Sequence, residues 1–282
     1  MTEDLLSSQK DFRNLVTKRL ISTPLDFVEE MGFISERREK GDPWSASGVL
    51  LLLEFDPQEK AYTIILNKRS SYVQQPGDLC CPGGRTGSIG DKTLGWLLQK
   101  TLMPFLRPAA VRGLQGKDKP ERKILSMVLV GVLRESWEEM RLPPWKVEYL
   151  GALPTHRLQN FPNIIFPMVG RIRGPWQASP NWEVDKILRV PLRTFFNPEN
   201  YALYSPRIPD AQRDKAEVTW LELPCMVVGV DGTEEILWGA TFGIIRDFLH
   251  RVMDMPLNIM RPARVIERDL PVHYFTGRSR DG

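Results

Sequence analysis

Apolar positions divide the chain into runs of two different periods. Leu5, Phe12, Leu15, Val16 and Leu20 recur at near-helical spacing, which predicts an amphipathic helix from Thr2 to about Ile21. Ser47 to Phe55 (SGVLLLLEF) is an apolar run of strand length closed by Asp56-Pro57, and Tyr62 to Leu66 (YTIIL) predicts a second strand. Leu79 to Arg85 (LCCPGGR) predicts a short strand ending at a Pro-Gly-Gly turn. Strand character is then absent from Thr86 to Lys123. Within it, Leu94 to Leu106 is apolar and helical in pattern but broken by Pro104 and Pro108, and the run GKDKPERK before Ile124 reads as a polar loop. The longest helical pattern, Ile124 to Leu142, is stopped by Pro143-Pro144. Strands are predicted again at Val147 to Pro154, Ile164 to Ile172 and Ile187 to Val190, followed by a helical turn from Pro191 to Phe196. Val218 to Leu223 and Met226 to Val230 read as a hairpin, and Ile236 to Trp238 as a last short strand. Ala240 to Met253 is an amphipathic helix, and the tail from Pro256, rich in arginine, is given no element. Strands and helices do not alternate regularly, so the class is mixed α/β (α+β) and not a doubly wound parallel sheet.

Composition narrows this only slightly. The 282 residues are 42% hydrophobic and 26% charged, which suits one or two globular domains and excludes wholesale disorder and collagen-like repeats. The longest near-apolar runs, Ile124 to Leu133 and Gly48 to Leu53, fall short of the roughly 18 residues a spanning helix needs, so no membrane association is expected. The start, MTEDLLSSQKDFR, lacks the basic opening and apolar core of a signal peptide. A net charge of +3 with no five-residue Lys/Arg block is no nucleic-acid footprint. Cys80, Cys81 and Cys225 form no CxxC pair, and a reducing, cytoplasmic setting is the expectation.

Chemistry concentrates in Leu133 to Leu142 (LRESWEEMRL). On a helix, with Glu135 as origin, Glu139 falls at about +40° and Glu138 at about −60°, while Leu129, Leu133, Trp137 and Met140 cluster on the far side. Three carboxylates therefore share one face, and Glu135 and Glu139 are direct i, i+4 neighbours that repel. Arg134 offsets this on one flank. A hard divalent cation offsets it more fully, since Mg²⁺ takes one or two carboxylates plus substrate phosphates. An acidic face alone is commonly just solvated, and the upstream Pro82-Gly83-Gly84 is what raises the odds of a site: glycine lets backbone approach a ligand closely.

These residues resemble the two halves of the Nudix box, G-x5-E-x7-R-E-U-x-E-E-x-G-U, with Gly84 as the box glycine and Arg134, Glu135, Glu138 and Glu139 in its R-E-x-x-E-E core. Leu66-Asn67-Lys68-Arg69-Ser70, a spacer, and Gly77-Asp78-Leu79-Cys80-Cys81-Pro82-Gly83-Gly84 are similar to the signature of coenzyme A diphosphatase-like Nudix proteins. Val147 to Leu153, Pro167 to Gly170, Glu183-Val184, Val190 to Leu192 and Trp238 to Thr241 follow in that family's order, so the resemblance covers roughly Ser45 to Val252. The sequence also departs from the pattern. Gly84 and Arg134 are 50 residues apart (134 − 84) instead of 14, so 36 residues are inserted. Gly90 stands where the first box glutamate belongs, with Asp91 the nearest acid; Arg141 replaces the last box glycine; and Gln74 and Pro76 replace the spacer's Arg and His.

The resemblance implies a Nudix fold, a mixed sheet sandwiched between helices, here with an inserted helical segment. It divides the chain into an N-terminal helical extension (1–44), a catalytic domain (45–255, insertion about 87–123) and a C-terminal tail (256–282). It implies hydrolysis of a diphosphate linkage in a nucleoside diphosphate derivative, coenzyme A or a related compound, with Mg²⁺ or Mn²⁺ as cofactor. A Nudix-fold module that binds a nucleotide or a partner with little or no turnover is the alternative, favoured by the displaced box glutamate and disfavoured by the intact R-E-x-x-E-E. Glu135 and Glu139 are the expected direct metal ligands, and Glu138 the ligand of a second ion or holder of a water. Arg134 is expected to orient the carboxylates, and the Gly83 or Gly84 carbonyl to contribute a further ligand or substrate contact. Arg69 is a candidate phosphate grip. The general base stays open between Glu183 and, with lower weight, His156; Trp137 and Trp238 read as core. The insertion's apolar residues, including Leu94, Trp96, Leu97, Leu98, Leu102, Met103, Phe105 and Leu106, need burial on the parent domain or in a homodimer contact, ahead of a role as lid.

Overall fold

The computed structural model describes residues 8–87, 89–99, 118–158, 161–207, 222–230, 232–257, 264–271, 273–276 and 278. The start of the first predicted helix, most of the insertion (100–117) and most of the strand expected at 218–223 lie outside these residues, as do the side chains of Leu97 and Leu98.

The centre is a mixed sheet. Strand β1 (Ser45–Asp56) pairs antiparallel with β2 (Ala61–Arg69) and with the short β4 (Gly83–Arg85), and parallel with β7 (Asn163–Ile172). Beyond β2 lie β3 (Leu79–Cys80) and β8 (Val184–Pro191), and β7 also pairs with β5 (Val147–Ala152) and β6 (His156–Arg157). The predicted Leu79 to Arg85 strand is thus two strands, interrupted at Cys81-Pro82, where proline offers no N–H to a ladder. Side chains alternate across the pleat. Leu51, Leu53, Ile64 and Leu66 face a core shared with helices α1 (Gln9–Ile21) and α5 (Gly239–Met253). Leu50, Leu52 and Ile65 face a core shared with α2 (Phe27–Glu39) and the long α4 (Lys119–Met140). The sheet is therefore sandwiched between helices, as expected. A run like LLLL, apolar on both sides, fits a strand covered on both faces.

A second, four-stranded sheet is ordered β11 (Thr233–Trp238), β10 (Leu223–Val230), β9 (Tyr201–Arg207), β12 (Val265–Asp269). The hairpin is β10–β11, so Met226 to Val230 pairs forward with Ile236 to Trp238 and not back with Val218 to Leu223. The tail is not without structure: β12 lies parallel on β9, and Leu270 and Tyr274 are buried.

Three helical elements differ from expectation. Helix α2 buries only Phe27, Glu30 and Ile34, too narrow a stripe to stand out in a charged segment. Helix α3 (Ile89–Gln99) starts five residues before the predicted Leu94 (94 − 89). Helix α4 starts at Lys119, inside the supposed polar loop: Asp118 caps it by accepting from the Glu121 N–H at 2.8 Å, and Pro120 sits in the first turn, where its missing N–H costs nothing. Among the described residues no helix is long and apolar enough to cross a membrane.

Candidate active site

Helix α4 lies over the strand end where β1 meets β4. It comes so close that a Cβ on Gly48 would stand 2.7 Å from Val132. The same proximity brings Gly83 and Gly84 of β4 to the acidic face. A Cβ on Gly84 would lie 2.7 Å from the Glu135 carboxylate carbon, and the Gly83 N–H donates to the Glu139 carboxylate. The two glycines and the two carboxylates that the sequence paired across 50 residues (134 − 84) thus form one site.

Arg134 is shared by three carboxylates. Its Nε donates to Asp91 Oδ1 at 3.2 Å, its Nη2 lies 2.9 Å from Glu135 Oε1, and its Nη1 contacts Glu138 Oε2 at 3.1 Å. Glu138 is turned outward and half exposed. Glu139 sits deeper: Asn67 Nδ2 donates to its Oε2 at 2.8 Å. Burial, with the charges of Glu135 and Glu183 adding to it, pushes the Glu139 carboxyl up to about 8, against the Gly83 N–H and the Arg69 guanidinium. Burial raises Glu135 as well, opposed by Arg134. The buried Asn67 Oδ1 has no hydrogen-bond partner among the described residues. Arg69 and Glu183 are both close enough for their charges to act on Glu139. The Glu183 N–H is held by Asn181 Oδ1 at 2.8 Å, and the Asn181 N–H donates to the Glu139 carbonyl at 2.8 Å, which ties the loop before β8 to the end of α4.

Two partly buried carboxylates, an amide oxygen and close backbone form an oxygen-rich site, which suits a hard cation. Among the described residues, no three His, Cys, Asp or Glu side chains stand together as a metal cage. Mg²⁺ does not require one, since it keeps waters and shares substrate phosphates.

His156 is not part of this site. It lines a cavity of about 330 Å³ with Asp247, Arg246 and Arg251 of α5, and its ring fills the space over Gly243. Trp137 is not core but 40% exposed, with Arg141 stacked 5.5 Å from its ring. Trp238 is partly buried and donates to Asp78. Cys80 is no nucleophile, as burial pushes its thiol up to about 12. Asn67, Asn181 and Asp91 join the site without having been singled out as members. The sequence signals were an amide at the polar end of an apolar strand, an Asx turn after Pro180, and the acid nearest the missing box glutamate.

No family model matches the chain. It is 29% identical over 142 residues to the uncharacterized Nudix hydrolase NudL of Pectobacterium atrosepticum, covering 49% of this chain and 64% of that protein. It is 26% identical over 157 residues to the peroxisomal coenzyme A diphosphatase NUDT7 of Mus musculus, covering 55% of this chain and 50% of that protein. Among solved structures, a MutT/nudix family protein from Enterococcus faecalis superposes with a TM-score of 0.41 at 13% identity, over 88% of this chain and 75% of that one. The relatives it resembles are thus Nudix hydrolases, and the box residues assembled above are the part of the chain that carries the likeness. The matches span between half and two thirds of the curated relatives' length.

Proposed function

We propose that this chain is a divalent-cation-dependent diphosphatase that hydrolyses a nucleoside diphosphate derivative, coenzyme A or a related compound. The observation that carries the reading is the partly buried pair Glu135 and Glu139, raised by burial and set against the Gly83-Gly84 backbone of β4. Such a pair is costly unless a cation joins it. Coenzyme A enters through the name of the mouse relative and the signature around Arg69 and Pro82 to Gly84.

Glu135, Glu139 and the Gly83 or Gly84 carbonyl would hold Mg²⁺ or Mn²⁺, with Glu138 available to a second ion or a water. The bound cation supplies charge neutralisation at the diphosphate and a lowered pKa of the attacking water. Arg134 fixes the carboxylate positions. Arg69 grips a substrate phosphate through its guanidinium. Glu183, held by Asn181, takes the proton as the water oxygen bonds to phosphorus and the bridging P–O bond breaks. The products are a nucleoside monophosphate and the phosphate ester of the other group. Positioning and electrostatics supply the acceleration. A small-molecule substrate, with neither nucleic acid nor membrane as partner, fits this site. The divisions 1–44, 45–255 and 256–282 are proposed as extension, catalytic unit and tail.

The test is incubation of the full chain with Mg²⁺ and coenzyme A, NADH, ADP-ribose and dinucleoside polyphosphates, with product identification. Cleavage of coenzyme A to 3′,5′-ADP and a phosphopantetheine is the expected result. Cleavage of another member moves the substrate and keeps the chemistry. Nucleotide binding without turnover of any member establishes the binding-module alternative.

A further inference from the structure

We infer that Asp91, supplied by the inserted segment's first helix, is a positioning residue for Arg134 and through it for the cation-binding carboxylates. The box-register position, Gly90, is exposed, whereas the next residue, Asp91, is fully buried. Asp91 lies against Gly131 and accepts from Arg134 Nε. Helix α3 runs antiparallel to α4: Asp91 meets Gly131 and Arg134, while Gly95 packs on the backbone of Met127. Asp91 follows Gly84 by seven residues (91 − 84), so the extra sequence enters after the acid, between Asp91 and Arg134, and not straight after the glycine turn.

A guanidinium is a rigid plane. With Nε pinned by a buried carboxylate, the directions of Nη1 and Nη2 are fixed, and these are the nitrogens that meet Glu138 and Glu135. Without Asp91 the guanidinium is free to turn fully onto Glu135, where it competes with a cation. The insertion is therefore not an appendage: its first turn completes the site, and the helical hairpin α3–α4 delivers through tertiary packing a carboxylate that the linear spacing leaves out.

This inference rests on the proposed cation site, and the experiment separates the two. Mn²⁺ binding to the full chain is measured by electron paramagnetic resonance without substrate, for wild type, Asp91→Asn, Arg134→Gln and the double variant, beside kcat and KM for a substrate found as above. Asp91→Asn is expected to weaken Mn²⁺ binding about 10- to 100-fold and to lower kcat, with KM within about twofold. The double variant is expected to be no worse than Arg134→Gln alone, since Asp91 acts through Arg134. Losses that multiply, or Mn²⁺ affinity in Asp91→Asn within about twofold of wild type, overturn the role of Asp91. Absence of Mn²⁺ binding by wild type overturns the cation site itself. Gly90→Glu combined with Asp91→Asn tests placement: it is expected not to restore binding, and restoration overturns the assignment. If Asp91→Asn does not fold, Asp91→Glu, which keeps the charge, decides: Mn²⁺ affinity within about threefold of wild type supports the role, and a tenfold loss in the folded variant refutes it.

Discussion

At Glu139 a proposed cation ligand sits where its charge is costly. Its carboxyl, ordinarily at 4.5, is pushed up to about 8 by burial and by its acidic neighbours. In metal-free protein, stability is complete below about pH 4.5, where the group is neutral folded and unfolded, and is lost as the pH rises through about 8. Glu139→Gln removes that loss. The metal-free variant is expected to melt higher than wild type at pH 8.5 and equally at pH 4.5, measured by differential scanning calorimetry. The same variant should lose at least about two orders of magnitude in kcat. A variant no more stable than wild type at pH 8.5, or fully active, contradicts the placement of this group. Arg141 shows a different trade. It ends α4 at φ 59°, a left-handed position where a box glycine would sit without cost. Arg141→Gly relieves a strain of about 1–2 kcal/mol and forfeits stacking on Trp137 worth about 0.5–1. A gain of about 0.5 kcal/mol in urea unfolding is expected, with catalysis unaffected.

At the scale of elements, the short strand β4 lies between β1 and α4, and its two glycines do different work. A Cβ at Gly83 would meet the Gly48 carbonyl oxygen at 2.2 Å, backbone against backbone inside a ladder. Gly83→Ala should therefore cost about 2–3 kcal/mol or more in stability. A Cβ at Gly84 would meet only the mobile end of Glu135. Gly84→Ala should leave the melting temperature within about 2 °C, a change under about 1 kcal/mol, while displacing Glu135 and lowering both Mn²⁺ affinity and kcat. Equal stability of the two variants by thermal melting would contradict this division. The same elements show why the site was partly legible. R-E-x-x-E-E is a helix-face pattern, and a period of 3.6 residues is enough to put Glu135 and Glu139 together. Asn67 and Asn181 reach Glu139 from a strand and a loop, and no local period links them to it.

At the scale of the whole molecule, the tail closes on the loop that leads into the box. The Tyr274 hydroxyl donates to Asp78 at 2.5 Å, Trp238 Nε1 donates to it at 3.2 Å, and the Gln75 N–H donates to the Tyr274 carbonyl at 2.6 Å. Burial raises Asp78 to about 6 despite these bonds and the nearby Arg69 and Arg268 charges. Tyr274 stabilises the ionised form, so its contribution is largest above about pH 6. Tyr274→Phe is expected to cost about 2 kcal/mol in urea unfolding at pH 7.5 and clearly less at pH 5. A cost independent of pH would mean that Tyr274 acts by packing alone.

The sequence by itself determined what depends on local period and short spacing. The two faces of β1 and β2, the acidic face of α4 and the stop at Pro143-Pro144 each follow from neighbours a few residues apart, whereas the expected Pro-Gly-Gly turn is strand, Gly83 and Gly84 pairing with β1. Tertiary structure alone decided the rest. It moved His156 to the α5 side, exposed Trp137, gave the tail a strand on β9, and carried Asp91 to Arg134 across 43 residues (134 − 91). Those outcomes depend on which surfaces pack together, and packing joins residues by shape and charge without regard to their distance along the chain.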